Sequence, residues 1–438
     1  MQKISNEAGK IMVEVRFLRE NRDLAVQGLN KRGLEQADNL VGKILELDDR
    51  RKDIQTRTDG LLRQVNAMSR EIGDLYKQGK GAEATAAKEN VAHLKDEIRE
   101  LQSDMDATVT LLQDSLLALP NIPHHSVPSG LTESDNEIME SHGEIPQHLP
   151  EWNKPHWELM EMYDLVDLAL GAKVTGSGFP FYKGQGARFQ RALIQFFLDE
   201  AVAAGCLEVI PPFVVNADSA RGTGQLPDKD AQMYFVERDD LYLIPTSEVP
   251  LTNMFRDDIL ASDQVPYRLT AYSPCFRREA GSYGADVKGL NRLHQFDKVE
   301  MVVIAHPEQS YDILDWMVSH VRSLLEKLEL PYRVLRLCGG DLGFTSALTY
   351  DFEVYSVVQQ RWLEVSSVSN FETYQSNRLK LRYRDEDGKT RLLHTLNGSV
   401  LALPRIVAAL LEKNQQEDRI DIPEVLKPYT GFERIIKN

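Results

Sequence analysis

The chain has 438 residues, 42% of them hydrophobic, with 51 basic against 67 acidic side chains and a net charge of −16. That length predicts two or three domains, and the acidic balance argues against indiscriminate nucleic-acid binding while allowing a local basic track, since salt confines fields to about 8–10 Å. No apolar run approaches the roughly 20 residues needed to span a bilayer, the opening MQKISNEAGKIMVEVRF lacks the apolar core of a secretion signal, and three well-separated cysteines, Cys206, Cys275 and Cys338, predict no disulfide framework and no structural zinc but a reducing, cytoplasmic setting.

The first periodic stretch, VRFLRENRDLAVQGLNKRG, reads as a short amphipathic helix ending at Gly33. Residues 40–119 have a different texture. Leu40, Ile44, Leu47, Arg51, Ile54, Thr58, Leu61, Val65, Met68, Ile72 and Leu75 follow alternating steps of four and three, a heptad seam with two polar members. Gln78-Gly79-Lys80-Gly81 signals a reversal. A second seam runs through Ala84, Ala87, Val91, Leu94, Ile98, Leu101, Met105, Thr108, Leu112, Ser115 and Leu119, and Pro120 and Pro123 end it. Matched seams around a glycine turn predict an antiparallel two-helix coiled-coil arm. Each helix of about 38 residues would be roughly 57 Å long. The outer positions carry Arg50, Arg51, Lys52, Arg57, Arg63, Arg70, Lys77, Lys80, Lys88, Lys95 and Arg99 among many acids. Composition alone fits a solvated spacer as well as a nucleic-acid- or protein-binding arm. Residues 124–155, rich in His, Pro, Ser, Gly and Glu, read as a linker with little regular structure.

From residue 156 the pattern is mixed. ARFQRALIQFFLDEAVAAG suits a long helix, and LEVIPPFVVN a strand broken by Pro211-Pro212. LYLIPTSEVPLTNMF, YRLTAYSPCFRRE, NRLHQFDKVEMVVIA, LPYRVLRLC, SALTYDFEVYS and RWLEVSSVSN are further strand candidates, and a last helix covers about Leu403 to Asn414. Consecutive strands without intervening helices favour an α+β fold with an antiparallel sheet flanked by helices. Neither G-x-G-x-x-G nor a Walker A segment is present.

Polar residues recur at strand spacing. Arg277 and Glu279 share one face; Arg292, His294, Phe296, Lys298 and Glu300 share another, across a turn containing Gly281, Gly284 and Gly289. Thr246 and Glu248 sit two apart, Glu364 and Ser366 share a face with Ser367 adjacent, and Asn397 and Ser399 flank Gly398. Gathered on one sheet, these groups suit a nucleoside triphosphate, its magnesium and a small zwitterion.

Over nearly its whole length the chain resembles the bacterial-type seryl-tRNA synthetases, of aminoacyl-tRNA synthetase class II. LEVIPPFVVN is similar to motif 1, the dimer-interface element; PCFRREAGSYGADVKGLNRLHQFDKVE to motif 2; LNGSVLALPRIVAALLE to motif 3. PTSEVP and the arm mark the seryl type. The resemblance implies a tRNA-binding domain over residues 1–123, a linker over 124–155 and a catalytic domain over 156–438. It implies ATP-dependent ligation of serine to serine tRNA, and to selenocysteine tRNA where present, through a seryl-adenylate. It also implies a homodimer whose arm reaches tRNA across the dimer, reading shape and backbone.

The same resemblance implies roles. Arg277 would bridge the ATP α-phosphate and the serine carboxylate, and Glu279 would accept from the adenine amino group. Phe296 and Arg405 would sandwich the adenine ring, and Arg292 would contact phosphate. Arg278, Leu293, Val365 and Ser366 would complete the ATP site. Glu364 and Ser367 would hold Mg2+. Thr246, Ser247 and Glu248 would take the serine ammonium, and Glu300 and Ser399 its hydroxyl. His294 is assigned a structural role. Val400 and Pro404 stand where the family usually has glycine, and Ala285 where arginine is common. The first eleven residues extend beyond the usual start, with Met12 as an alternative beginning. Two other readings remain at this point: a synthetase-like ligase charging another acceptor, such as a carrier protein, and an inactive interaction protein on the same core.

Overall fold

The computed structural model describes residues 15–228, 231–278 and 288–437. Met12, Glu279, Gly281, Gly284 and Ala285 lie outside them. The chain divides into two compact units: one runs to Asn30 and from Leu34 to Pro120, the other comprises Lys31–Gly33 and the chain from Asn121 onward.

In the first unit, α1 (Val15–Glu20) and α2 (Arg22–Lys31, its last residue counted with the second unit) precede the arm. The single amphipathic helix expected from sequence is thus two, broken at Asn21, whose amide and side chain both donate to the Phe17 carbonyl. The arm is α3 (Ala37–Lys77) and α4 (Gly81–Leu117). Burial follows the heptads: Ile44, Ile54 and Val65 are buried on one helix, and Ala84, Val91, Leu101 and Leu112 on the other. Gly79, at φ +75°, closes α3. Its N–H donates to the Tyr76 carbonyl and that of Lys80 to the Leu75 carbonyl, the paired bonds of a Schellman cap. Among the outer cations, Arg57 pairs with Glu97, Lys77 with Asp74 and Arg99 with Asp96, all exposed. Such pairs add little stability, so the apolar seam holds the arm.

The second unit is built on an eight-stranded sheet. Its strands are β1 (Glu137–His142), β2 (Leu207–Glu208), β3 (Tyr267–Phe276), β4 (Gln295–Ala305), β5 (Tyr332–Arg336), β6 (Leu348–Ser356), β7 (Arg361–Asn370) and β8 (His394–Ala402), in the order β1-β5-β6-β7-β8-β4-β3-β2. Neighbours are antiparallel except β2, which runs parallel to β3. The helices used below are α5 (His156–Met162), α6 (Gly184–Ala203), α7 (Glu248–Asn253), α8 (Ser310–Lys327), α9 (Tyr374–Leu379) and α10 (Leu403–Asn414).

Alternation along β4 separates two cores. Val299, Met301 and Val303 pack in the main core with Leu193, Phe196 and Phe197 of α6, Met317 of α8 and Ile406 of α10. Val302 and Ile304 belong to a smaller core with Leu251 of α7 and Leu379 of α9. Lys298 and Glu300 have the parity of this second face, so the polar floor continues a buried apolar surface rather than a solvated one.

Three expectations need correction. Residues 137–142, read as part of an irregular linker, form β1 at the sheet edge, paired with β5. Most of its residues are exposed, so no alternation marks it. PTSEVPLTN, read as strand, turns into α7: five of its six residues are buried, and a short helix buried all round shows no helical period. The sequence reading places no element over α8, although its buried Ile313, Leu314, Met317, Val318 and Val321 recur at helical spacing.

Candidate active site

The register of β4 assembles the floor. Phe296 lies opposite Cys275, Lys298 opposite Ser273 and Glu300 opposite Ala271 on β3. On the other side Glu300 faces Ser399 of β8. Glu300 is buried and receives three donors on one oxygen: the Lys298 ammonium, the Thr246 hydroxyl at 3.2 Å and the Ser399 hydroxyl at 3.4 Å. Thr246 in turn accepts from the Glu248 N–H at 3.2 Å, which fixes the turn into α7. Glu248 is buried beside this group. Its Oε1 accepts from Gln375 Nε2 at 2.7 Å, yet burial, aided by nearby Glu300, pushes its carboxyl up to about 7.

A cationic surface adjoins this pocket. Arg277 follows β3; its guanidinium lies 5.3 Å from the Phe296 ring centroid, and its Nε donates to the Pro245 carbonyl at 3.4 Å. Arg405, in the first turn of α10, donates from Nε to the Asn291 carbonyl at 3.1 Å and from Nη1 to the Glu364 carbonyl at 2.6 Å. Burial lowers its pKa; Glu364 opposes that, and Arg277, Arg292 and Arg361 add to it. The guanidiniums gathered around Arg405, which lies beside the Glu364 carboxylate, form a receptor for a multiply charged anion, and the Phe296 ring offers a flat apolar wall.

A β-bulge brings the carboxylate into place. Phe352 pairs with Ser366 but Glu353 with Glu364, so Val365 is one residue too many for the partner strand. Residues three apart on a regular strand point to opposite faces. The extra residue changes the parity, and Glu364 and Ser367 are the more exposed positions while Val365 and Ser366 are buried. Asp351 lies opposite Ser367. Its Oδ1 is buried with no hydrogen-bond partner, and burial together with Glu364 holds its carboxyl well above the usual range. Such hard, incompletely satisfied oxygens fit a magnesium ion that arrives with phosphates. Among the described residues no group of three or more His, Cys, Asp or Glu is placed to hold a metal by itself.

Comparison with known proteins identifies the family. The model of the tRNA synthetase class II core domain (G, H, P, S and T) matches residues 234–414, and that of the seryl-tRNA synthetase N-terminal domain matches residues 12–123. A serine–tRNA ligase of Salinibacter ruber is 52% identical over 97% of this chain and 99% of its own length. One from Carboxydothermus hydrogenoformans is 44% identical over 97% and 100%. The chain belongs to the seryl-tRNA synthetases. Among solved structures, the Pyrococcus horikoshii seryl-tRNA synthetase complexed with ATP superposes with a TM-score of 0.87 at 35% identity, covering 98% of this chain and 100% of that one. The present synthetase ligates serine to tRNA in an ATP-dependent reaction.

Within the synthetase, Arg277, Arg292, Phe296, Glu364 and Arg405 gather on one surface, with Thr246, Glu248, Glu300 and Ser399 beside it. Others are spent internally. The Ser366 hydroxyl donates to the Ser399 carbonyl at 2.5 Å, and that of Ser247 to the Ala271 carbonyl. Leu293 and Val365 are buried core residues, so they have backbone rather than side chains to offer a ligand. The Arg278 guanidinium lies over the Tyr234 ring. The Glu279 assignment falls outside the described residues. His294 Nδ1 donates to the Arg277 carbonyl at 2.9 Å, and its ring stacks on Phe179; this anchors Arg277. Sequence reasoning gives no role to Lys298, Gln375 or Asp351. Lys298 alone has a signal, its two-residue step from Glu300.

Proposed function

We propose that the synthetase activates serine as its adenylate on this surface and passes the seryl group to tRNA. The observation that carries this reading is the junction of two sites: the Arg277–Arg292–Arg405 cluster and the Glu248–Glu300–Ser399 pocket adjoin where Arg277 bonds the Pro245–Thr246 turn. Arg277 bridges the ATP α-phosphate and the serine carboxylate; Phe296 and Arg405 sandwich the adenine; Arg292 contacts phosphate. Glu248 and Thr246 receive the serine ammonium, and Glu300 with Ser399 meets the hydroxyl. A pocket with groups dedicated to that hydroxyl rejects alanine, which would leave them unpaired.

A serine carboxylate oxygen attacks the α-phosphorus, and the bond to the bridging oxygen of the β-phosphate breaks, releasing pyrophosphate. A carboxylate is already nucleophilic, so positioning and charge neutralisation suffice. The terminal ribose hydroxyl of tRNA then attacks the seryl carbonyl, and AMP leaves. Glu364 and Ser367, with Asp351 alongside, would hold Mg2+, which supplies further neutralisation of phosphate charge.

The partners follow the same reading. Ile210, 85% exposed, and Leu207, 62% exposed, make motif 1 an apolar face that suits a second copy of the chain. The arm would reach serine tRNA, and selenocysteine tRNA where present, across that dimer. No helix among the described residues is long and apolar enough to cross a membrane. Three free, buried cysteines suit work in the cytoplasm. Serine-dependent exchange of pyrophosphate into ATP tests the core of the proposal: Arg277→Ala should lower it by at least 1,000-fold, roughly 4 kcal/mol, and near-normal exchange would remove Arg277 from the site.

A further inference from the structure

His156, which opens α5, and Glu412, near the end of α10, form a wholly buried pair that none of the steps above uses. Glu412 Oε1 accepts from His156 Nδ1 at 2.8 Å, from the His156 backbone N–H at 3.1 Å and from Gln359 Nε2 at 3.2 Å; Oε2 accepts from the Ser356 hydroxyl. On the far side of the ring, His156 Nε2 accepts from the Leu290 N–H at 3.0 Å. A backbone N–H can only donate. Nε2 is therefore the unprotonated nitrogen, and Nδ1 carries the hydrogen toward the carboxylate.

Both ends of this network reach the chain that enters β4. Gly289, at φ +70°, lies so close to the ring that a Cβ there would collide with His156 Nε2. Two residues on, Asn291 Nδ2 donates to Gln359 Oε1 at 2.9 Å, and the Asn291 carbonyl accepts from Arg405 Nε. Glu412 thus holds residues 289–291 by two routes, one through His156 to the Leu290 amide and one through Gln359 to the Asn291 side chain. The chain so held presents the acceptor for Arg405 and continues into Arg292.

We propose that His156 and Glu412 are positioning residues of the ATP site: the carboxylate fixes the imidazole tautomer, the imidazole holds the Leu290 amide, and the resulting placement of Asn291 sets the Arg405 guanidinium and the start of Arg292. The proposal rests on reading Arg405 and Arg292 as ATP contacts. Neither His156 nor Glu412 touches a substrate. Removing the acceptor leaves a buried N–H unpaired, a loss the main chain relieves by moving.

Two substitutions at 156 separate this from a merely structural role. Glutamine can put a carbonyl oxygen near the Nε2 position and keep the acceptor for Leu290. Asparagine can put an amide near Nδ1 and keep the donor to Glu412, but offers Leu290 nothing. In serine-dependent pyrophosphate exchange, His156→Asn should raise KM for ATP roughly tenfold and leave KM for serine unchanged, while His156→Gln should recover most of the ATP affinity. Gln359→Met cuts the second route at the loss of one donor to Glu412, leaves the His156–Glu412 and Leu290–His156 bonds in place, and should raise KM for ATP several-fold, so the test survives if the variants at 156 fail to fold. Arg405→Ala is the control: if it leaves KM for ATP unchanged, the reading of the site itself fails. If Arg405→Ala raises KM for ATP but Gln359→Met and the folded variants at 156 only lower Tm, the positioning role is overturned. A parallel rise in KM for serine would overturn it too, because that reports general loosening of the fold.

Discussion

Glu248 is a carboxyl enclosed by protein on the face proposed above for the serine ammonium. The Gln375 hydrogen bond does not offset the water it has lost, and its pKa rises from 4.5 to about 7. Two consequences have opposite signs. For binding, the ionised form is the useful one, so kcat/KM for serine should climb with pH and level off above about 7, since that parameter reports the free enzyme; a profile flat from about pH 6 to 8 would count against the assignment. For stability, a raised folded pKa means that the folded state holds more protons than the unfolded one between 4.5 and about 7. The stability this group contributes is complete below 4.5 and is lost as pH rises through about 7. Glu248→Gln should therefore raise Tm by a few degrees at about pH 8, with no gain at about pH 4, while abolishing serine affinity. At this scale the sequence was legible in residue type but not in use. Thr246, Glu248, Glu300 and Ser399 stood out as polar groups in apolar runs. Nothing in that spacing distinguishes a hydroxyl available to a ligand from one spent on a carbonyl, as in Ser366.

Strands were legible where they alternate, and the two bulges at the site were not, because one extra residue leaves no mark in composition. They nevertheless decide the site. One at Val365 brings Glu364 and Ser367 to a common side; the other, at Val400, lets Glu300 meet Ser399 although Val299 pairs with Leu401. Val400 replaces a glycine usual in the family, which predicts backbone demand there. The positive φ instead falls one residue later, +145° at Leu401, a fully buried side chain. Glycine at 401 would relieve roughly 1–3 kcal/mol of strain but would lose a packed leucine, which costs about 2–5 kcal/mol. The cavity outweighs the strain, so Leu401→Gly should lower Tm; a rise in Tm would show that strain dominates. Pro404 needs no such compromise, since it sits in the first turn of α10, where its missing N–H has no intrahelical partner to lose.

The whole molecule is two units with separate interiors, one a heptad seam and one a sheet-based core. The heptads stop at Pro120, the last residue of the first unit, and β1 shows that the stretch beyond is not merely a connector. Replacing residues 40–119 by a short Gly-Ser link should leave serine-dependent pyrophosphate exchange within about twofold and cut tRNA charging by 100-fold or more, roughly 2.7 kcal/mol; unimpaired charging would reduce the arm to a spacer. The capped turn at Gly79 has a kinetic corollary. Every pairing in the hairpin is nested around it, so sequence separation grows steadily with distance from the tip, and each contact shortens the loop that the next must close. The arm should therefore assemble as a zipper from its tip toward its base, with Gly79→Val slowing closure far more than a seam truncation near Ile44.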